Sequence, residues 1–277
     1  MRRLPHLAIA VFLLASAGAE RAEAANPFVR VTSGFGAFDL ELCTETSARC
    51  LGAAPATVAN FLAYVDRGAY ANAILHRSIA KPSYDYDFVM QGGGFFLDTD
   101  AMLIRKIPED PSIANEFNQS NVRGTVAMAK GSTPDSATNQ WFVNLDDNSG
   151  PCPGTAQQMG LDCQNGGFTV FARVVDPGMD VVAAIAVTQA YDIYDDPFFD
   201  PAFESECTQQ DCMESNFDST PLGPNYVPAN VVNPKDFLPF LILLDVHRVP
   251  EPDVAGSLLV AGGTLATLRR RAYPAPA

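Results

Sequence analysis

The chain has 277 residues, enough for one large all-β domain or two small ones. Its 32 acidic side chains against 18 basic ones give a formal net charge of −14, which argues against nucleic acid or an anionic membrane surface as partner. The six cysteines fall into three close pairs, Cys43 with Cys50, Cys152 with Cys163 and Cys207 with Cys212, and metal sites favour tighter spacing with histidine partners, so disulfides in an oxidising compartment are the expectation and a metal is not.

The chain opens "MRRLPHLAIAVFLLASAGAERAEAAN": two arginines, an apolar run from Leu7 to Ala17, then small residues. That is the layout of a secretory signal peptide over residues 1–24, with Ala22-Glu23-Ala24 as a cleavage site and Ala17-Gly18-Ala19 as a second candidate. The apolar run falls below the ~20 residues that span a bilayer, so an exported protein is expected. From Pro27 on, "FVRVTSGFGAFDLELC" alternates around Gly34 and Gly36 and reads as a β-hairpin. "APATVANFLAYVDRGAY" switches to helical spacing, with Val58, Phe61, Leu62 and Val65 on one face, Pro55 in the first turn and Gly68 at the C-terminal cap. Strands are expected at "AILHRSI", "DFVMQGG", "GTVAMAK", "QWFVNL" and "FTVFARVV". A second helix is signalled by "DPGMDVVAAIA", with Asp176 capping, Pro177 in first position and Val182 and Ile185 facing inward. "PFLILLDVHRV" supplies a closing strand.

Many short strands with two helices predict a mainly β fold, a closed barrel that removes exposed sheet edges, capped by the helices. Two stretches read as loop insertions carrying disulfides, residues 148–166 and 190–235. The second holds Asp192, Asp195, Asp196, Asp200, Glu204, Glu206, Asp211, Glu214 and Asp218 without a lysine or arginine before Lys235. It lacks EF-hand spacing and reads as a solvated acidic loop. The tail, residues 250–277, places Pro250-Glu251-Pro252 before an apolar segment, Val254 to Leu268, and then Arg269, Arg270 and Arg271. This order resembles a PEP-CTERM sorting signal, which implies an exosortase-type enzyme as partner and a periplasmic or outer-surface destination, with possible transient anchoring in the inner membrane.

The stretch "ILHRSIAKPSYDYDFVMQGGGF" joins an arginine, an apolar run and three glycines. Glycines let a backbone take positive φ or approach a neighbour closely, and arginine offers a fixed five-donor fork. Together with "VANFLAYVDRGAY", "ANEF", "RGTVAMAK", "DSATNQWFVNL" and "GGFTVFARVVDPGMDVV", it resembles the cyclophilin-type peptidyl-prolyl cis-trans isomerases, bacterial members above all, over residues 27–249 with the two insertions. The resemblance implies a closed eight-stranded antiparallel barrel with a helix over each end, and a prolyl peptide bound on an outer face. Proline-containing peptides or unfolded exported proteins are the implied partners, with the protein acting as a monomer.

The chemistry asks for little. The amide C–N bond imposes a barrier of ~18–20 kcal/mol, and a catalyst needs a donor aimed at the prolyl nitrogen, strongest when the amide is twisted. No nucleophile, metal or cofactor is required. The resemblance gives that role to Arg77, with Gln91 holding the peptide backbone and orienting the arginine. It assigns Phe88, Val89 and Phe142 to the proline pocket, and Ala129, Lys130, Gln140 and Phe168 to the peptide groove. Because Trp141 and Phe142 are adjacent on a strand, they face opposite sides, Trp141 to the core and Phe142 to the pocket. His76 and His247 read as satisfied interior histidines.

Departures from the family pattern are "KPSYDY", which lengthens the link after the arginine and adds Tyr84 and Tyr86, Val89 in place of a methionine, Lys130 in place of an asparagine, and Phe168 in place of a histidine. Weak cyclosporin binding is expected. The alternatives to an enzyme are a proline-peptide-binding module with weak or no turnover, and a surface protein whose acidic insertions bind cations or polysaccharide.

Overall fold

The computed structural model describes residues 26–151, 160–193, 217, 219–226 and 238–250. The expected signal peptide, the sorting segment after Pro250, Cys152, Cys207, Cys212 and most of the acidic insertion lie outside them.

The first hairpin forms as its alternation predicts. β1 (Phe28–Ser33) and β2 (Gly36–Leu42) pair antiparallel from Phe28↔Glu41 to Ser33↔Gly36. Val29, Val31, Phe38 and Leu40 turn inward, while Arg30 and Asp39 pair on the outer face at 2.7 Å. The helix α1 (Pro55–Asp66) buries Thr57, Val58, Phe61, Tyr64 and Val65. Its own N-cap, Ala54, offers no side-chain acceptor. Glu116 supplies one from sixty residues away, accepting from the backbone N–H groups of Ala56 and Thr57 and from the Thr57 hydroxyl; helix starts leave such donors unpaired. Gly68 ends the helix at φ +69, a left-handed conformation that glycine adopts without strain.

The remaining strands are β3 (Ala73–Ile74), β4 (Arg77–Ser78), β5 (Val89–Gly92), β6 (Phe95–Asp98), β7 (Leu103–Lys106), β8 (Thr125–Met128), β9 (Trp141–Asn144), β10 (Val170–Val174), β11 (Ala190–Tyr191), β12 (Thr220–Pro221) and β13 (Leu243–Arg248). Eleven of the thirteen join one curled antiparallel sheet in the order β4-β5-β9-β8-β10-β2-β1-β13-β3-β6-β7, and β11 pairs with β12. The main core lies against this sheet. Phe61 of α1 meets Phe171 at 4.9 Å and Trp141 edge-on at 6.2 Å between ring centroids.

Several expectations need correction. The ladder is an eleven-stranded order rather than the eight strands expected, because β3 and β4 count separately and β6 and β7 extend it beyond β3. The strands β6 and β7 were not foreseen. The helix α2 (Gly178–Ala186) starts after Pro177, and Asp176 makes no cap bond to it; Val182 and Ile185 are buried as the spacing implied. His247 is exposed rather than interior, because on β13 Leu244 and Val246 take the inward positions and the period of two turns His247 outward. Cys43 and Cys50 are bridged; Cys163 is also disulfide-bonded.

The described parts of the acidic insertion pack on the sheet: Ile193, Phe217, Leu222 and Tyr226, with Leu238 and Leu241 just after it, join Ile74, Phe95, Leu97 and Ile104 in a second buried cluster. That cluster covers β3, β6 and β7.

Candidate active site

The site grows from the hairpin of β4 and β5. Arg77 pairs across it with Gln91, and Gln91 pairs on its other side with Phe142 of β9. The Gln91 Nε2 donates to Gln140 Oε1 at 2.8 Å. The glycines that follow make this approach possible. Gly93 has φ +86, and a Cβ there would meet the Asn139 carbonyl and Trp141 Cδ1 at 2.8 Å. A Cβ on Gly94 would meet Gln140 Cδ at 2.9 Å. A side chain at Gly93 would force the Asn139 backbone away and strain its φ, and one at Gly94 would displace the Gln140 side chain.

Trp141 and Phe142 occupy opposite faces. Trp141 lies in the main core. Phe142 lies in a separate apolar cluster with Val89, Ala127, Leu161 and Val170, flanked by partly buried Phe88, Ala129 and Phe168. The Phe142 and Phe168 rings meet edge-on at 5.8 Å. A polar scaffold holds this cluster from behind: the Phe88 carbonyl accepts from Leu145 N at 2.8 Å and Asn148 Nδ2 at 2.9 Å. Asn148 also donates to Asn144, which donates to Thr125 and Asn121. This asparagine chain and Leu161 were not read from the sequence, although Asn144 ends the "FVN" run.

Arg77 is half-buried, and its Nε is a buried donor with no hydrogen-bond partner. An unpaired buried donor costs roughly 1–3 kcal/mol. Its neighbour His76 is fully buried, between Phe95 at 5.1 Å and Phe217 at 6.1 Å. Burial pushes its pKa down to about 4, with the Ile74 carbonyl and the Gln140 side chain opposing the shift and the charge of Arg77 reinforcing it. Neither ring nitrogen has a well-formed hydrogen bond. The histidine is interior as expected but its ring nitrogens lack a hydrogen-bond partner.

Lys130 does not extend a free ammonium into a groove. Its Nζ donates to the carbonyls of Gly167 at 2.6 Å, Asn165 at 2.8 Å and Pro134 at 3.4 Å, and stands 5.1 Å from the centroid of the Phe168 ring. Burial lowers its pKa. The charge fixes the turn that presents Phe168. The structure thus brings Arg77, Gln91, Gln140, Phe88, Val89, Phe142, Ala129, Lys130 and Phe168 into one neighbourhood. Among the described residues no group of histidine, cysteine and carboxylate side chains could hold a metal.

Beyond the site, the hairpin tip spans residues 80–87. Tyr84 bonds the Ser219 hydroxyl through its own hydroxyl, and Ser83 Oγ accepts from Ala190 N at 2.8 Å. Tyr86 remains 56% exposed, 6.2 Å from Tyr84 between ring centroids.

Residues 28–201 match the family model for cyclophilin type peptidyl-prolyl cis-trans isomerase/CLD. The chain is 43% identical over 134 residues to peptidyl-prolyl cis-trans isomerase B of Escherichia coli, covering 48% of this chain and 71% of that one. It is 35% identical over 164 residues to a peptidyl-prolyl cis-trans isomerase of Acinetobacter baylyi, covering 58% and 73%. A looser likeness, with TM-score 0.44 and 16% identity over 81% of this chain and 99% of the other, is to a Cryptosporidium parvum cyclophilin type isomerase crystallised in the presence of the dipeptide Ala-Pro. The chain belongs to the cyclophilin-type peptidyl-prolyl cis-trans isomerase family.

Proposed function

We propose that this enzyme accelerates cis–trans isomerisation of X-Pro bonds in exported polypeptides, with Arg77 as the catalytic residue. The observation that carries the reading is the unpartnered Arg77 Nε, opposite Gln91 on the hairpin and beside the apolar cluster of Val89 and Phe142. In this reading the proline ring enters that cluster, flanked by Phe88 and Phe168. Gln91, oriented by its bond to Gln140, holds the peptide carbonyl, and Ala129 lines the groove. The Arg77 guanidinium donates to the prolyl nitrogen as the amide twists and its lone pair leaves conjugation. That contact is strongest in the twisted state, so it lowers the barrier rather than stabilising either planar isomer.

Two finer points belong to the same reading. The run from β3 to β4 is continuous through Leu75 and His76 and pairs with β13 at one end and with β5 at the other, which supports closure of that run and the seven strands from β5 to β13 in the ladder into a barrel. The amino-terminal and Pro-Glu-Pro segments, together with the Cys43–Cys50 bridge, support action outside the cytoplasm.

The exposed Tyr86 at the hairpin tip favours a second reading, capture of proline peptides without turnover. One experiment separates the two: titrate the full chain with a short Ala-Pro peptide while following both chemical shifts and cis–trans exchange. Binding with accelerated exchange is the expected result. Binding with exchange at the uncatalysed rate would leave the peptide-binding module.

A further inference from the structure

The edge of β4 turned away from β5 is occupied. Successive strand residues direct their backbone groups to opposite sides, so the His76 carbonyl and the Ser78 N–H share that outer edge. Ser78 N donates to the Ser219 carbonyl at 2.8 Å. The fully buried Thr220 donates from Oγ1 to the His76 carbonyl at 2.9 Å. The backbone is therefore gripped at both neighbours of Arg77 by two consecutive residues of the acidic insertion. The grip is anchored in turn, since Thr220 pairs with Tyr191 in the two-stranded sheet and Phe217 is buried against Phe95 at 4.7 Å. The Tyr84 and Ser83 bonds tie the hairpin tip to the same segment.

We propose that Thr220 is a positioning residue for Arg77, and that the insertion serves catalysis by supplying the edge segment that fixes the arginine's strand. No hydrogen bond fixes the Arg77 side chain at Nε, so the aim of the guanidinium is inherited from the backbone of residues 76–78. On one side that backbone is set by β5, which also carries Gln91. On the other it is set by Ser219 and Thr220. A free edge at this point would let the strand shift relative to the Phe142 cluster, and displacements of the order of 1 Å suffice to slow an enzyme markedly. The inference rests on the isomerase reading for its kinetic consequence, though not for its structural one.

The test uses the full chain with Thr220→Val, which keeps shape and loses the donor, and Thr220→Ser, which keeps the donor. The expected result is a fall in kcat of about five-fold for Thr220→Val, equivalent to about 1 kcal/mol, at unchanged KM, with recovery in Thr220→Ser. The Arg77 Nε–H resonance in ¹⁵N spectra gives a readout independent of turnover. It should shift and broaden in Thr220→Val and return in Thr220→Ser. If Thr220→Val does not fold, Thr220→Cys, with similar volume and a weak donor, takes its place. A folded variant with native kcat, a loss carried by KM alone, or an unchanged Arg77 resonance would overturn the proposal. A wild-type protein without turnover would sink the isomerase reading and leave the resonance to decide this one.

Discussion

At the scale of single residues, His76 and Arg77 show how a strand separates adjacent side chains. His76 points into the second apolar cluster and stays neutral, whereas the Nε of Arg77 is a buried donor without a hydrogen-bond partner. The histidine carries a testable pH signature. In the unfolded chain an imidazole takes up its proton near pH 6.5, while in the folded protein His76 does so only near about 4. The unfolded state therefore binds more protons between these values, and stability falls as pH drops through that window, by up to about 3 kcal/mol. Thermal melts from pH 7 to pH 4 should show the decline in the native protein and a flatter profile in His76→Gln. Equal profiles would mean that the ring is not held neutral. The roles expected of Arg77, Gln91 and Phe142 came from the family resemblance of the blocks that carry them, since the local motifs alone are weak. The sequence reading misjudged His247, whose direction depends on the phase of β13, and it could not show the three carbonyl partners of Lys130, which come from turns that no local pattern specifies.

At the scale of elements, the strands and helices with a clear period were legible, and those completed by distant partners were not. β6 buries Phe95 and Leu97, but against Phe217, Leu222 and Leu241, more than a hundred residues later. The start of α1 was readable from Pro55, yet its cap was not, since Glu116 belongs to another segment. Glu116→Ala should lower stability by about 1–2 kcal/mol, the usual cost of losing a helix cap, measured as a reduced midpoint in urea at unchanged m-value. Glu116→Gln, which retains an acceptor oxygen, should lie between. An unaffected midpoint in Glu116→Ala would show that the three bonds contribute nothing net.

At the scale of the whole molecule, the acidic insertion changes from appendage to part of the framework. From composition it read as a solvated loop, and its many acids gave no hint that Ile193, Phe217 and Leu222 are buried in the second cluster. Phe217→Ala should destabilise the folded protein by roughly 3–5 kcal/mol, the range for an emptied aromatic core site, a large share of the total stability of a single domain. A change below about 1 kcal/mol on denaturant unfolding would return the insertion to the role of a surface loop. The small amino-terminal ring is a second, local device. Cys43–Cys50 closes a loop of seven-residue separation, whose opening by Cys→Ser substitution costs about 2–3 kcal/mol in the chain-entropy model. Residues 28–201 carry the family pattern, whereas Ser219 and Thr220, which support the arginine's strand, fall beyond it.

The central claim is that an arginine donor, and no proton-transfer chemistry, lowers the barrier to prolyl rotation. It is tested most directly by the rate of cis–trans exchange of an Ala-Pro peptide with the native full chain, Arg77→Lys and Arg77→Ala, each shown to be folded by its melting curve. The account predicts a clear acceleration by the native protein, a loss on the order of 100-fold in Arg77→Ala, and an intermediate rate in Arg77→Lys, which keeps the charge and loses the planar fork. A folded Arg77→Ala protein that turns over peptide at the native rate would contradict it.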